Sequence, residues 1–179
     1  MKSALLVVDV QRGLFQTTPA PADADAVVAR IDGLAARARA AGVPVVFVHH
    51  EGEGGALAYG SPAWQIDPRL TVGVNDVRVR KTTPDSFLRT ELAALLTQSR
   101  AERLVICGYA SEFCIDTTTR RAAALGFSVV LVADAHTTHE KAHASGDQIR
   151  DHHNATLCAM KSFGPIIEAQ AAEAISFAD

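Results

Sequence analysis

Short apolar runs rich in β-branched residues recur along this chain, and stretches of helical periodicity separate most of them. The apolar runs cover residues 4–10, 43–49, 104–107 and 128–133, and residues 77–81 form a short alternating run. Apolar residues near the 3.6-residue period mark helices over 22–40, 86–97, 112–125 and 148–160. Apolar runs of this kind are typical of parallel strands buried on both faces. Their alternation with helices predicts right-handed βαβ crossovers and an α/β fold.

The size and charge of the chain narrow the class of protein to which it can belong. Its 179 residues, 48% of them hydrophobic, predict one domain over residues 1–179 with a substantial core. A formal charge of −3 argues against nucleic acid as a partner. The longest uncharged apolar runs, such as 4–8 and 43–48, are far shorter than the roughly 20 residues that cross a bilayer. No signal-peptide pattern precedes the first run, so we expect a cytoplasmic protein without a membrane partner.

In a parallel sheet, ligands bind beyond the carboxyl ends of the strands, so residues that follow the apolar runs are the first functional candidates. These positions hold Asp9, His49, Lys81, Asp134 and the segment 108–114. Residues 51–70 lack periodicity and contain several glycines together with aromatic residues. A loop of that length in a compact domain is usually functional, and its aromatic residues favour an ordered lid over the site.

Cys114 stands where a strand passes through a turn into a helix. If Ser111 is the helix N-cap, unpaired amides and the helix dipole lower the pKa of the thiol and can bind an oxyanion. The alternative is that Cys114 is a small buried hydrophobic residue. The three cysteines have no C-x-x-C spacing, which indicates neither a disulfide framework nor a zinc site. Cys107 and Cys158 are expected to be core thiols.

Asp9 and Lys81 each end a predicted strand. A carboxylate at the end of an apolar strand is costly to bury unless a cation is nearby, and Lys81 can supply that cation. With Cys114 at a third strand end, the two residues form a plausible activated-nucleophile set. By spacing alone, a structural salt bridge between Asp9 and Lys81 explains the pattern equally well.

Four blocks in order resemble the isochorismatase-like cysteine hydrolases, which include nicotinamidases, N-carbamoylsarcosine amidases and streptothricin hydrolases. The blocks are Leu-Val-Val-Asp-Val-Gln at 6–11, Lys-Thr-Thr-Pro-Asp-Ser-Phe at 81–87, Cys-Gly-Tyr-Ala-Ser-Glu-Phe-Cys at 107–114 and Val-Ala-Asp-Ala at 132–135. The resemblance implies a three-layer α/β/α fold with a mostly parallel six-stranded sheet, and residues 174–177 are the candidate sixth strand. It also implies a homodimer or a higher homo-oligomer.

The resemblance further implies a catalytic triad of Asp9, Lys81 and Cys114. In the family the aspartate takes the thiol proton, the lysine balances charge, and the cysteine attacks an amide carbonyl to form a thioester. A cis peptide bond between Tyr109 and Ala110 is expected, with the amides of Ala110 and Cys114 as the oxyanion hole. A thiol nucleophile favours an amide, imide or ureido substrate over isochorismate.

Departures from the family pattern leave two alternatives. Metal-dependent nicotinamidases carry Asp-x-His after the second strand, whereas residues 48–55 here are Val-His-His-Glu-Gly-Glu-Gly-Gly, so we expect no metal and no other cofactor. A metal-assisted nicotinamidase with His49 as a ligand is one alternative. A non-catalytic binding or regulatory protein on the same fold is the other. Glu112 stands where many family members have aspartate, and its role is open.

Aromatic and histidine side chains near these elements are further candidates. Phe15, His49, Trp64, Phe87 and Tyr109 are proposed to contact the substrate, although core packing is the default for aromatic residues. A histidine group suggests a metal cluster by its spacing, but its predicted loop position favours solvated or interface histidines. This group consists of His136, His139, His143, His152 and His153.

Overall fold

In a computed structural model that describes residues 1–177, six strands form one parallel sheet in the order β3-β2-β1-β4-β5-β6. The strands are β1 (Ser3–Val8), β2 (Val45–His50), β3 (Val77–Lys81), β4 (Arg103–Tyr109), β5 (Ser128–Thr137) and β6 (Ile167–Gln170). The helices are α1 (Arg12–Phe15), α2 (Ala24–Ala40), α3 (Leu92–Ser99), α4 (Asp116–Ala124) and α5 (Gly146–Ala159). A π-helical turn, Ser111–Ile115, precedes α4, and a 3₁₀ turn, Ala172–Ala174, follows β6.

Helices cover both faces of the sheet, because successive strand residues point to opposite sides and both sides are apolar. Leu5 and Val7 of β1 pack against α2, whereas Leu6 and Val8 pack in the core under α3, α4 and α5. Every residue of β1 is buried. This arrangement confirms the predicted three-layer α/β/α fold with a parallel six-stranded sheet. Among residues 1–177, no helix combines the length and the apolarity needed to span a membrane.

Two element predictions need correction. The sixth strand is Ile167–Gln170, not residues 174–177. The latter segment leaves the 3₁₀ turn and contributes Ile175 and Phe177 to the core beneath α2. The helix predicted over 86–97 begins only at Leu92, because the side chain of Asp85 accepts a hydrogen bond from the Phe87 amide at 2.8 Å and holds that segment in a turn.

The sheet order reverses between β1 and β4, which is where a doubly wound sheet opens a crevice at its carboxyl edge. Gly108 of β4 lies against β1 at this point with φ +123. A Cβ there would sit 2.0 Å from the carbonyl oxygen of Val8, so only glycine allows the two strands to approach this closely. The approach brings the residue after β1 beside the turn that follows β4.

Candidate active site

The ammonium group of Lys81 lies at the centre of a buried polar cluster. Its Nζ is 2.7 Å from Asp9 Oδ2, 3.1 Å from Cys114 Sγ and 3.2 Å from His50 Nδ1. An ammonium carries three protons, so each acceptor takes one and none is left over. Lys81 and Asp9 are each 1% exposed and Cys114 is 9% exposed. The structure therefore brings together the three residues of the expected triad and adds a histidine.

Each member of the cluster comes from a different strand end. Asp9 follows β1 with φ +54, a left-handed conformation that aspartate tolerates better than most residues and that turns the chain out of the sheet. Lys81 is the last residue of β3, and its parallel partner in the ladder is His50, the last residue of β2. Cys114 lies in the π-helical turn after β4. Neighbouring parallel strands thus deliver all four side chains to one edge of the sheet.

The charge on Lys81 is held in place by its neighbours. Burial alone would lower the pKa of the ammonium, but Asp9 and Cys114 together raise it above its ordinary value. Burial and the nearby Lys81 charge lower the pKa of His50, so this ring is neutral at neutral pH and accepts the Lys81 proton through Nδ1. A protonated lysine facing one carboxylate leaves the buried cluster without net charge when the thiol is neutral.

The thiol itself is protonated in the resting site. Burial and the adjacent Asp9 carboxylate raise the pKa of Cys114 to about 12, against the opposing effect of Lys81. The expectation that a helix N-terminus lowers this pKa is therefore wrong. Cys114 lies inside a five-residue π turn, and burial is the largest of the effects on its pKa. Asp9 Oδ1 is buried and accepts no hydrogen bond within residues 1–177, so it is free to receive a proton.

The turn that carries Cys114 has an unusual backbone. The peptide bond between Tyr109 and Ala110 is cis. The Ala110 carbonyl accepts hydrogen bonds from the amides of Phe113 at 3.0 Å and Ile115 at 3.1 Å, which close the turn. The expected N-cap is absent, because the Ser111 hydroxyl bonds His136 Nδ1 at 2.8 Å rather than a backbone amide.

His50 contacts the cluster, whereas the substrate contact predicted for His49 stays a prediction. Side chains alternate along a strand, so His50 shares a face with Val46 and Val48 and points toward Lys81. His49 points to the other face and stacks on Trp64 with ring centroids 4.7 Å apart. The parallel register between β2 and β3 was the signal that would have identified His50.

Gln11 is a second residue that the sequence interpretation did not single out. Its side-chain amide donates to the carbonyls of His50 at 3.0 Å and Trp64 at 2.9 Å. Its Oε1 accepts from the His50 amide at 2.9 Å. Gln11 is 1% exposed, and these three bonds fix the end of β2 and the segment around Trp64 relative to the residues after β1.

The proposed substrate contacts lie in three places. Phe15 and Tyr109 form an edge-to-face pair with centroids 5.8 Å apart. Trp64 packs between His49 and Tyr59. Phe87 stacks on Phe127 at 6.1 Å in the core beneath α3 and α4. These rings are all packed against other side chains, and their contact with a substrate stays a prediction.

The remaining histidines do not form one cluster. His136 is fully buried rather than solvated, whereas His139 bridges Tyr109 Oη and Thr17 Oγ1 at 2.7 Å each. The other three, His143, His152 and His153, border an apolar cavity of about 630 Å³ beside Phe113.

Glu112, whose role the sequence leaves open, accepts a hydrogen bond from Thr138 at 2.9 Å and forms an ion pair with Lys141 at 3.0 Å. Cys107 is a core thiol as predicted, but Cys158 is only partly buried.

A metal ion has one conceivable set of ligands among the described residues. Single donor atoms of Asp9, His50 and Cys114 lie within 4.8 Å of one another. However, Lys81 Nζ already lies within hydrogen-bond distance of all three. A raised lysine pKa keeps a positive charge where a cation would have to bind, so this donor set does not suit a metal ion.

Comparison with known proteins places these observations in a family context. Residues 3–171 match the isochorismatase domain model. A streptothricin hydrolase of Streptomyces noursei is 42% identical over 144 residues, 80% of this chain and 57% of the relative. A ureidoacrylate amidohydrolase of Pseudomonas syringae is 26% identical over 181 residues, 78% of this chain and 71% of the relative. A solved isochorismatase family protein superposes with a TM-score of 0.85 at 31% identity, covering 94% of this chain and 98% of the other. The chain spans only about half the length of the streptothricin hydrolases, 57% of one and 50% of a second.

Proposed function

The chain belongs to the isochorismatase family of hydrolases, and on this premise we propose that it is a cysteine hydrolase that cleaves a C–N bond through a thioester on Cys114. The observation that supports the proposal most directly is the shared contact of one ammonium with a carboxylate and a thiol. Lys81 Nζ lies 2.7 Å from Asp9 Oδ2 and 3.1 Å from Cys114 Sγ in a buried cluster. An ion pair needed only for stability would not require a nucleophile as its third member.

The first step transfers the thiol proton to Asp9 while sulfur attacks the carbonyl carbon. Asp9 Oδ1 is buried and available for that proton. Because the pKa of Cys114 is raised to about 12, the thiolate forms only as it attacks, and Asp9 acts as the general base. Asp9 becomes neutral when it takes the proton, and the negative charge develops on the substrate instead. Protonated Lys81 remains beside the sulfur throughout.

The tetrahedral intermediate then collapses. We assign its oxyanion to the backbone amides of Ala110, at the cis bond, and of Cys114, inside the π-helical turn. Protonated Asp9 gives its proton to the departing nitrogen, the C–N bond breaks, and a thioester remains on Cys114. Water attacks the thioester while Asp9 takes its proton, the C–S bond breaks to release the acid, and Asp9 returns the proton to the Cys114 sulfur.

An amide, imide or ureido group is the proposed substrate class. A streptothricin hydrolase and a ureidoacrylate amidohydrolase are both among the relatives, and an amidohydrolase cleaves a C–N bond. The proposed substrate contacts remain the rings of Phe15, His49, Trp64, Phe87 and Tyr109. His50 Nδ1 accepts a hydrogen bond from Lys81 Nζ and so helps to orient the ammonium group.

The alternative of a metal-assisted nicotinamidase is disfavoured by this chain's own residues. The proposed ligand His49 points away from the cluster and stacks on Trp64. Lys81 also fills the space between the remaining donor atoms. We expect added zinc or iron, or a chelator, to leave turnover unchanged, and activation by either metal would support the nicotinamidase instead.

A panel of small amides, imides and ureido compounds tests the proposal through release of ammonia or amine. The reaction is quenched in acid and digested, and the acyl group is located by peptide mass spectrometry. We expect turnover by the wild type, an acyl adduct on the Cys114 peptide alone, and no turnover by Cys114→Ala. Turnover that survives in Cys114→Ala would refute the thioester. A folded wild type that neither turns over nor accumulates an adduct would favour the non-catalytic binding protein.

Two further properties follow the family expectation and are proposed with it. A homodimer or a higher homo-oligomer of this single hydrolase domain is testable by light scattering coupled to gel filtration. A cytoplasmic location is testable by cell fractionation.

A further inference from the structure

We propose that Ser111, His136 and Asn154 form a hydrogen-bonded relay that positions the turn carrying Cys114. This inference rests on the proposed function, because it assigns a role in the same turn, and it concerns residues that the catalytic steps do not use. Ser111 opens the π-helical turn, His136 lies near the end of β5, and Asn154 lies in α5. The relay therefore ties the nucleophile turn to two elements that pack beside it.

Three hydrogen bonds run in sequence through these side chains. Ser111 Oγ is 2.8 Å from His136 Nδ1, and His136 Nε2 is 3.0 Å from Asn154 Oδ1. Asn154 Nδ2 donates to the Ala133 carbonyl at 3.0 Å. All three distances lie within the normal range for protein hydrogen bonds.

The direction of each bond follows from its neighbour. The Ala133 carbonyl only accepts, so the Asn154 amide nitrogen must face it and Oδ1 must face the ring. His136 therefore carries its proton on Nε2 and leaves Nδ1 as an acceptor. The Ser111 hydroxyl is then the donor to Nδ1. One backbone carbonyl thus sets the histidine tautomer and, through it, the rotamer of Ser111.

The ring is kept neutral by its surroundings. His136 and Ser111 are 0% exposed, and burial lowers the pKa of His136 to about 4. The charges of Arg150 and His153 lower this pKa as well, whereas the bond to Asn154 and the charge of Asp134 oppose them. A neutral ring keeps the acceptor on Nδ1 throughout the neutral pH range, so the Ser111 contact is permanent.

The anchored residue is adjacent to the groups that must be placed most accurately. Ser111 follows Ala110, whose amide is one proposed oxyanion donor, and precedes Cys114 by three residues in the same turn. A hydroxyl at the first turn position would ordinarily cap a backbone amide, but here it is committed to His136. A shift of about 1 Å in a reacting group can cost about a hundredfold in rate, so an anchor at this position affects turnover.

Two substitutions at His136 separate the two ends of the relay. In His136→Asn the side-chain oxygen lies near the former Nδ1 and keeps an acceptor for Ser111, but the bond to Asn154 is lost. In His136→Gln the side-chain nitrogen lies near the former Nε2 and keeps the donor to Asn154, but Ser111 loses its acceptor. Both variants lose one bond and the ring, which makes each the control for the other.

We expect His136→Gln and Ser111→Ala to lower kcat by about 10- to 100-fold with KM changed by less than about twofold. His136→Asn keeps the acceptor for Ser111 and should retain a higher kcat than His136→Gln does. Ser111→Ala combined with His136→Gln should lose no more than either alone, because both remove the same bond. Equal kcat values for His136→Asn and His136→Gln at equal thermal stability, or a wild-type kcat in Ser111→Ala, would overturn the relay.

Two readouts hold even if no amide is turned over, so that failure of the relay and failure of the proposed function can be told apart. Long-range ¹H–¹⁵N spectra should show His136 as the neutral Nε2–H tautomer from pH 6 to pH 8, and an Nδ1–H tautomer or an imidazolium would overturn the relay. The pH dependence of iodoacetamide alkylation reports the geometry of Cys114 relative to Asp9 and Lys81. This profile should change more in Ser111→Ala and His136→Gln than in His136→Asn, and a profile unchanged in all three would contradict the positioning role.

Discussion

Asp9→Asn should make Cys114 more reactive toward an alkylating reagent while abolishing hydrolysis. The wild-type cluster balances the Lys81 ammonium with one negative charge, carried by Asp9, and the thiol next to it is therefore neutral. Asparagine removes that charge but keeps the shape of the side chain. Lys81 then lacks a counterion 2.7 Å away, and the thiolate 3.1 Å from Nζ becomes its only replacement in the cluster.

The size of the change in the Cys114 pKa follows from the distance between the Asp9 carboxylate and the Cys114 sulfur. A donor oxygen of Asp9 and the sulfur of Cys114 lie within 4.8 Å. Two unit charges at 4.8 Å interact by about 3.5 kcal/mol at an effective dielectric constant of about 20. Removing this repulsion lowers the pKa of Cys114 by about 2.5 and raises the thiolate fraction by about 300-fold near pH 8. A less basic thiolate is a weaker nucleophile by roughly tenfold, which leaves a net gain of about 20- to 30-fold.

The rate of hydrolysis by Asp9→Asn should fall, although the reactivity of its thiol rises. Asparagine cannot take the thiol proton or return it to the departing nitrogen, and loss of general acid–base catalysis typically costs about 100- to 10,000-fold. The assay measures iodoacetamide labelling of each cysteine peptide between pH 6 and pH 10, with Cys107 and Cys158 followed in the same digest. Cys107 is fully buried and should stay unlabelled, whereas the partly buried Cys158 should label equally in both proteins.

The matched control is Asp76→Asn. Asp76 is also a carboxylate with little exposure, 4% of its side chain, and pairs with Arg39 at 2.8 Å at the start of β3 rather than at its catalytic end. Labelling of Cys114 should not change in this variant. If Asp9→Asn instead labels Cys114 no faster than the wild type does, the charge argument fails. If it keeps hydrolysing the substrate at a comparable rate, Asp9 is not the proton carrier.

Four further predictions concern the site and the fold. Cys114→Ser should still bind substrate in calorimetry while losing turnover, because a hydroxyl is a far weaker nucleophile here. Lys81→Met should slow alkylation of Cys114, because the charge that favours its thiolate is gone. His50→Ala should lower kcat more than His49→Ala does, since only His50 contacts Lys81. Because the pKa of His136 falls from 6.5 when unfolded to about 4 when folded, the unfolded chain binds the extra proton, so stability should drop by about 3 kcal/mol from pH 6.5 to pH 4. Urea titrations of His136→Asn should show a smaller drop.

The fold was largely predictable because the pattern of apolar runs is itself the cause of the sheet. A strand buried on both faces must be apolar at every position, and β1 is buried at every position. The errors lie where this signal is weak. The last strand, Ile167–Gln170, has only one buried residue, Ile167. The more apolar segment after it packs into the core without joining the sheet.

The site was predictable only in its strand-end members. Asp9 is a carboxylate at the end of an apolar run, and that conflict with burial marks it in the sequence. Lys81 ends a short alternating run and is marked only as the cation that a buried carboxylate needs. His50 carries no such mark, because its neighbour His49 has the same chemistry. Only the alternation of side chains, anchored by the pairing of His50 with Lys81 across two strands, decides which histidine enters the site.

The protonation state of Cys114 could not be predicted because it depends on a balance among contacts that the sequence does not locate. The Lys81 charge favours a thiolate, whereas burial and the Asp9 charge favour a thiol, and the latter two prevail. The consequence for mechanism is specific. A nucleophile that is ionised at rest needs no base, whereas a resting thiol needs one. Within residues 1–177, Asp9 Oδ1 is buried without a hydrogen-bond partner, which supports Asp9 as the proposed base. A low reactivity of Cys114 toward iodoacetamide in the wild type is therefore expected of the catalyst and is no evidence against it.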